Sequence, residues 1–238
     1  KTDNGLEGYG ETGNAPAPSR KQFEYLIGRN PFHEYNRVTH LGMSMALYDL
    51  LGKFLGVPLW RLIGPQLRTW VPLSAWTMPQ PPEAMANEVK HLVKRGYTWL
   101  KFHVDFFQNV VEQTRAIQKV APPGFKLQYD FNGDASLHTV LPILKQLEKF
   151  PVAGRVEDPI PSKKPSDRDE WRSLRHSTRL PILAHAPGAA FLVERAADAA
   201  LFSRFPLPEA IRAAHVAEAA NSPFMLQHVG GNITLAFL

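Results

Sequence analysis

Gly154-Arg155-Val156-Glu157-Asp158-Pro159-Ile160-Pro161, GRVEDPIP, ends a short apolar run on two adjacent carboxylates and a proline. Proline has no N–H for a sheet ladder and restricts the residue before it, so a strand here stops at the acids. Neighbouring strand residues face opposite ways, so only one acid can share the strand's inner face. Glu157 reads as the inward one, and Asp158 as facing away to cap or salt-bridge.

Outward from that stretch the same rhythm repeats. Short apolar runs occupy residues 71–76 (VPLSAW), 99–104 (WLKFHV), 125–131 (FKLQYDF), 181–186 (PILAHA), 199–205 (AALFSRF) and 223–229 (PFMLQHV). Between them lie segments such as EAMANEVKHLVKRG and LHTVLPILKQLEKF, with helical periodicity and helix-forming composition. Strand–helix alternation with short connections predicts an α/β fold with parallel strands and helical crossovers. A closed (β/α) barrel and an open doubly wound sheet both fit that pattern. No Gly-rich phosphate fingerprint or P-loop is present, which weakens a nucleotide-binding version.

Upstream, residues 39–55 (THLGMSMALYDLLGKFL) predict a helix ended by Gly56-Val57-Pro58, with a short second turn in LWRLIG. The first 30 or so residues are rich in Gly, Asn and Pro and read as irregular. The chain opens on KTDNGLEGYGE and closes on NITLAFL, and both ends read as cut.

Composition narrows the function classes. In 238 residues there is no cysteine, which excludes disulfides and thiolate metal sites and fits a reducing cytoplasm. No apolar run approaches the ~20 residues of a membrane helix, so no membrane partner is expected. The net charge of +5 is scattered along the chain without interleaved aromatics, so no nucleic-acid partner is expected either.

In parallel α/β folds chemistry collects at the carboxyl ends of strands. Here those ends are polar: Lys101 and His103, Asp130 and Asn132, Glu157 and Asp158, His185, then Gln227 and His228. Lys101 and His103 are two apart and share a face, as do Asp130 and Asn132. Taken singly, Asp130 before Asn-Gly-Asp-Ala-Ser is turn chemistry, Lys101 a solvated lysine and His185 a core histidine. Taken together, carboxylates from neighbouring strands beside a cation suit a hard divalent ion such as Mg2+ or Mn2+.

These strand ends resemble the enolase superfamily, in its mandelate racemase and muconate lactonizing enzyme group. GYTWLKFHV is similar to the group's second-strand motif, YDFNGDAS to its third-strand Asp-x-Asn, and VEDPIP to its fourth-strand Glu-x-Pro. The Asp130-to-Glu157 spacing, about 27 residues, also agrees. GLEGYGE looks like a strand pair of the capping domain, and MALYDLLGKFLGVPLWRLIG like its helix and link. The resemblance implies a truncated α+β capping domain over residues 1–70. A modified (β/α) TIM-type barrel would then span 71–238, incomplete at its C-terminus.

It also implies abstraction of a proton α to a carboxylate, by a racemase, epimerase or acid-sugar dehydratase acting on a small carboxylate substrate in a homo-oligomer. Carried over by position, Asp130 and Glu157 become metal ligands and Asn132 a substrate contact or ligand support. Lys101 becomes the lysine facing the substrate carboxylate. His103 stands where the motif's second lysine is usual, and His228 near the seventh-strand histidine, so Lys101, His103 and His228 are the candidate catalytic groups. The third metal ligand falls by count from Pro181 on Ala186, with His185 beside it as the substitute. The sixth strand offers Asp198, Ser203 and Arg204 without a clear match. The missing acid keeps open an alternative, a member that retains the fold without catalysis as a binding protein.

Overall fold

The computed structural model describes residues 1–13, 16–162, 164, 166–203 and 206–237; Arg204, and with it the end of the 199–205 run, lies outside them. In chain order the elements are α1 (Arg20–Leu26), α2 (Pro31–Glu34), α3 (Leu41–Leu55), a 3-10 turn (Leu59–Leu62), β1 (Ala75–Thr77), α4 (Pro82–Lys94), β2 (Trp99–His103), α5 (Val110–Gln118) and β3 (Lys126–Asp130). There follow α6 (Leu137–Leu147), β4 (Ala153–Glu157), α7 (Asp167–Ser177), β5 (Ile182–His185), α8 (Ala189–Val193), β6 (Ala199–Phe202), α9 (Leu207–Ala219), β7 (Phe224–Leu226) and α10 (Asn232–Phe237). The strands are hydrogen-bonded in sequence order, and β1 to β5 pair in parallel. The predicted α/β alternation is what forms. The chain divides into two compact units, Val71–Ala200 and Lys1–Trp70 with Leu201–Leu238.

In the Val71–Ala200 unit, strand alternation sorts the side chains. Leu100, Phe102, Leu127, Tyr129, Val156, Ile182 and Ala184 pack with Met85, Val89, Ile117, Leu144, Leu147, Trp171 and Leu174 of the covering helices. Each large aliphatic or aromatic side chain so buried contributes about 1.5–3 kcal/mol. Asn109 caps α5 by accepting from Val111 and Glu112 N–H, and Ser136 caps α6 through Thr139 N–H. The polar residues between the apolar ones form two tiers on the opposite face. Lys101, Gln128 and Arg155 are in register in one tier, and His103, Asp130 and Glu157 in the next.

That registration depends on an irregularity in β4. Leu127 pairs with Ala153 but Gln128 pairs with Arg155, so Gly154 is an extra residue, a bulge. A Cβ at Gly154 would lie 2.6 Å from the Trp99 ring and 2.7 Å from the Leu127 carbonyl oxygen, so only glycine fits. Downstream of the bulge Arg155 and Glu157 keep the face shared with Gln128 and Asp130. Strand β1 begins later than the 71–76 run predicts, at Ala75.

In the other unit α3 carries the core, with Met45, Tyr48 and Leu51 buried, and its buried Ser44 hydroxyl accepts the Leu207 N–H at 3.0 Å. The GLEGYGE stretch, expected as a strand pair, has no strand. Its polar groups go to α3 instead: Tyr9 N–H donates to Asp49 at 2.8 Å and Lys53 donates to the Glu7 carbonyl at 2.9 Å. Gly10 lies so close to α3 that a Cβ there would meet the Gly42 carbonyl oxygen at 1.8 Å. The glycines thus serve helix contact rather than a turn between strands. Glu11 accepts the Gly231 and Thr234 N–H groups at the start of α10.

Candidate functional site

The site is built where β2, β3 and β4 end. His103, Asp130 and Glu157 occupy matching positions on three neighbouring strands. Lys101, one tier below, sends its ammonium up between the acids, with Nζ 3.0 Å from Asp130 Oδ2 and 2.7 Å from Glu157 Oε2. Lys101, Asp130 and Glu157 are all buried, at 7%, 3% and 0% exposure. Their mutual satisfaction therefore decides whether the site is tolerable at all. His103 Nε2 stands 3.4 Å from Asp130 Oδ2, its side chain 32% exposed, and its ring meets Trp76 edge to face at 5.7 Å. That indole and carboxylate fix the imidazole plane while one edge stays accessible.

Two side chains absent from the sequence reading complete the surroundings. Gln128 Nε2 donates to Glu157 Oε2, and Arg155 Nε donates to Gln128 Oε1 at 2.6 Å. The signal for them was available: each lies two residues before a site acid, hence on its face, and is polar inside an apolar run. Asp158 turns away from Glu157 as expected, from a left-handed residue at φ 40°, and accepts the His185 N–H at 2.8 Å. Asn132 is exposed at φ 55°, with its N–H donating to Asp130 Oδ1 at 3.0 Å.

His185 does not join the two acids as a third ligand. Glu157 pairs with Leu183, so His185 sits one pleat further along, its Nδ1 3.7 Å from Glu157 Oε1. Among the described residues no group of three His, Asp or Glu side chains is placed to hold a metal ion. His228 belongs to the other unit, where its Nε2 lies 3.0 Å from the Gly231 carbonyl.

Burial, then the neighbouring Asp130 charge, push the Glu157 carboxyl from 4.5 up to about 7, and burial pushes Asp158 up to about 6. Between those values and the ordinary carboxylate range, the folded chain holds protons that the unfolded chain has released. Stability from these groups is therefore fully present in acid and falls as pH rises through about 4.5 to 7. Denaturant titrations of metal-free protein are expected to show this loss between pH 5 and pH 7.5. Glu157→Gln should shrink it, and an undiminished loss would place its origin elsewhere.

The donor set suits a hard divalent ion in part. Two buried carboxylates converge on one point, now held by an ammonium, and Mg2+ is commonly bound by one or two carboxylates with waters and substrate oxygens. Residues 84–187 match the family model described as enolase C-terminal domain-like. The matched stretch holds β2 to β5, and with them Lys101, His103, Asp130, Glu157 and His185.

Several curated relatives and solved structures are similar over most of the chain. A D-galactonate dehydratase of Verminephrobacter eiseniae is 25% identical over 97% of this chain and 64% of its own length. The chain thus spans less than two thirds of that relative. A mandelate racemase/muconate lactonizing family protein of Azoarcus sp. EbN1 superposes with TM-score 0.83 at 22% identity, covering 99% of this chain and 74% of that one. A dipeptide epimerase of Cytophaga hutchinsonii, solved with Mg and the dipeptide D-Ala-L-Val, superposes with TM-score 0.68 at 22% identity over 78% of this chain and 52% of that one. At these identities the superpositions establish a shared fold and nothing beyond it. No described helix is long and apolar enough to cross a membrane.

Proposed function

We propose that this chain is the catalytic part of an enzyme that removes the proton α to the carboxylate of a small organic acid, in the manner of acid-sugar dehydratases and racemases. The observation that carries this reading is the convergence of Asp130 and Glu157, from adjacent strands, on one cationic point beside an accessible imidazole. Asp130 and Glu157 would hold a magnesium or manganese ion, with waters and substrate oxygens completing its shell. Such an ion, when bound, supplies positive charge against the negative charge that develops on the substrate carboxylate as the α proton leaves.

The chain's own groups divide the remaining work. His103, with Nε2 toward Asp130, keeps Nδ1 for the substrate proton when Nε2 carries the hydrogen. Asp130 holds that tautomer and would stabilise the imidazolium once the proton has moved. Lys101 would offer its ammonium to the substrate carboxylate. His228 is the candidate for returning or delivering a proton from the opposite face, and Asn132 for a substrate contact. The cysteine-free composition suits a cytoplasmic enzyme.

Exchange with solvent tests the reading without knowledge of the product. The protein is incubated with Mg2+ in deuterated water with D-galactonate, other sugar acids and aromatic α-hydroxy acids, and α-proton loss is followed by NMR. Deuterium is expected at the α carbon of at least one acid, and His103→Gln should abolish that incorporation. Absence of exchange across the panel, in protein shown to bind Mg2+, would overturn proton abstraction.

A further inference from the structure

The proposed chemistry uses the upper tier and Lys101, and leaves the buried Gln128 and its half-buried partner Arg155 without a task. Interior positions of this kind are ordinarily filled by aliphatic side chains, and a buried polar network that is only partly satisfied destabilises the fold. This one is matched throughout. Arg155 Nε donates to Gln128 Oε1 at 2.6 Å, Gln128 Nε2 donates to Glu157 Oε2, and Lys101 Nζ donates to Glu157 Oε1 at 2.8 Å. The guanidinium itself is held over the Trp99 ring at 4.2 Å, the ring that the Gly154 bulge accommodates.

The chemistry of the three groups allows one arrangement. A guanidinium only donates and a carboxylate only accepts, so the amide between them must present oxygen to Arg155 and nitrogen to Glu157. Arg155 therefore sets which way the Gln128 amide faces, and the amide sets the rotation of the Glu157 carboxylate. Without Arg155 the amide could turn its oxygen toward the acid and repel it.

We propose that Arg155 and Gln128 are positioning residues, a two-step donor relay that holds Glu157 turned toward Asp130 and thereby sets the affinity of the acid pair for a divalent cation. The relay rests on the reading that this pair holds a cation. Ligands aligned by hydrogen-bonded partners bind metal more tightly, and loss of such a partner commonly weakens affinity about 10–100-fold. Relay and simple packing differ in one respect: beside its charge interaction with Glu157, Arg155 reaches that carboxylate by hydrogen bonds through Gln128, and this larger part of its effect must vanish once Gln128 is gone.

The test is Mn2+ and Mg2+ titration calorimetry on the whole chain, in wild type, Gln128→Leu, Arg155→Met and the double variant. Gln128→Leu is expected to weaken Mn2+ binding about 10–100-fold. Arg155→Met should weaken it less, and the double variant should match Gln128→Leu to within about twofold. Arg155→Lys, which keeps a donor, should recover part of the loss. If Gln128→Leu does not fold, the Arg155→Met loss and its recovery in Arg155→Lys carry the test. Additive losses, or variants binding like wild type, would overturn the relay and leave the metal reading standing. A wild type that binds neither ion would overturn both.

Discussion

Lys101→Met is expected to destabilise the metal-free protein by about 3–5 kcal/mol, the loss typical when one partner of a buried ion pair is removed. The ammonium lies 3.0 Å from Asp130 and 2.7 Å from Glu157, and no other cation reaches both acids among the described residues. Methionine fills much the same volume, so packing changes little and the loss reports charge. The remaining pair would then behave as two uncompensated carboxylates in a buried site. Magnesium should reverse this. Ligand binding to the folded state alone adds about 2.7 kcal/mol at a concentration one hundred times the dissociation constant. With the competing ammonium gone, the variant should gain more from the ion than wild type does. Urea titrations with and without millimolar Mg2+ measure both. A variant that loses under about 1 kcal/mol, or gains no more from Mg2+ than wild type, would show that the acids do not depend on a shared cation.

The second large effect concerns the acids themselves. Asp130→Asn and Glu157→Gln each preserve shape while removing one of two anionic donors. Affinity for hard divalent ions follows ligand charge. Each substitution should therefore weaken Mg2+ binding by more than the roughly 10–100-fold that follows loss of a supporting partner. Calorimetry on the three proteins measures this directly. The stability consequences should run the other way in metal-free protein. Glu157→Gln removes a buried charge whose carboxyl burial has already pushed up to about 7, so the variant should be the more stable near neutral pH. A buried carboxylate that weakens the fold fits a general exchange of stability for function. If Glu157→Gln bound Mg2+ as tightly as wild type, the ion would sit elsewhere.

The sheet and its inner face were legible because alternation with a period of two survives burial. Leu100, Phe102, Leu127 and Tyr129 announce one face, and Lys101, His103 and Asp130 therefore had to share the other. What alternation does not reveal is how far a polar side chain reaches. Lys101 lies one tier below the acids yet its long stem brings the ammonium between them, and no spacing rule predicts that. Gln128 and Arg155 obeyed the same rule as Asp130 and Glu157, but they lie mid-strand, where polar residues signal nothing about loops. The bulge at Gly154 was likewise hidden, since a lone glycine in a strand reads as weak β-former before its close neighbours are known. GLEGYGE failed as a strand pair because its glycines answer to a helix far along the chain. The third ligand failed for another reason, in that the position counted from Pro181 is an alanine and the adjacent histidine sits one pleat too far.

Asn132, Asp158 and Ala186 follow the ends of three consecutive strands, and each adopts a positive φ, at 55°, 40° and 50°. Left-handed backbone suits asparagine and aspartate, whose short polar arms bond locally, and disfavours alanine by about 1–2 kcal/mol. The odd member of the trio is thus the one residue whose replacement by an oxygen-bearing side chain would relieve strain instead of adding it. Ala186→Asn should therefore leave the fold as stable as before or more so, a reversal of the usual rule that a substitution next to a buried site costs stability.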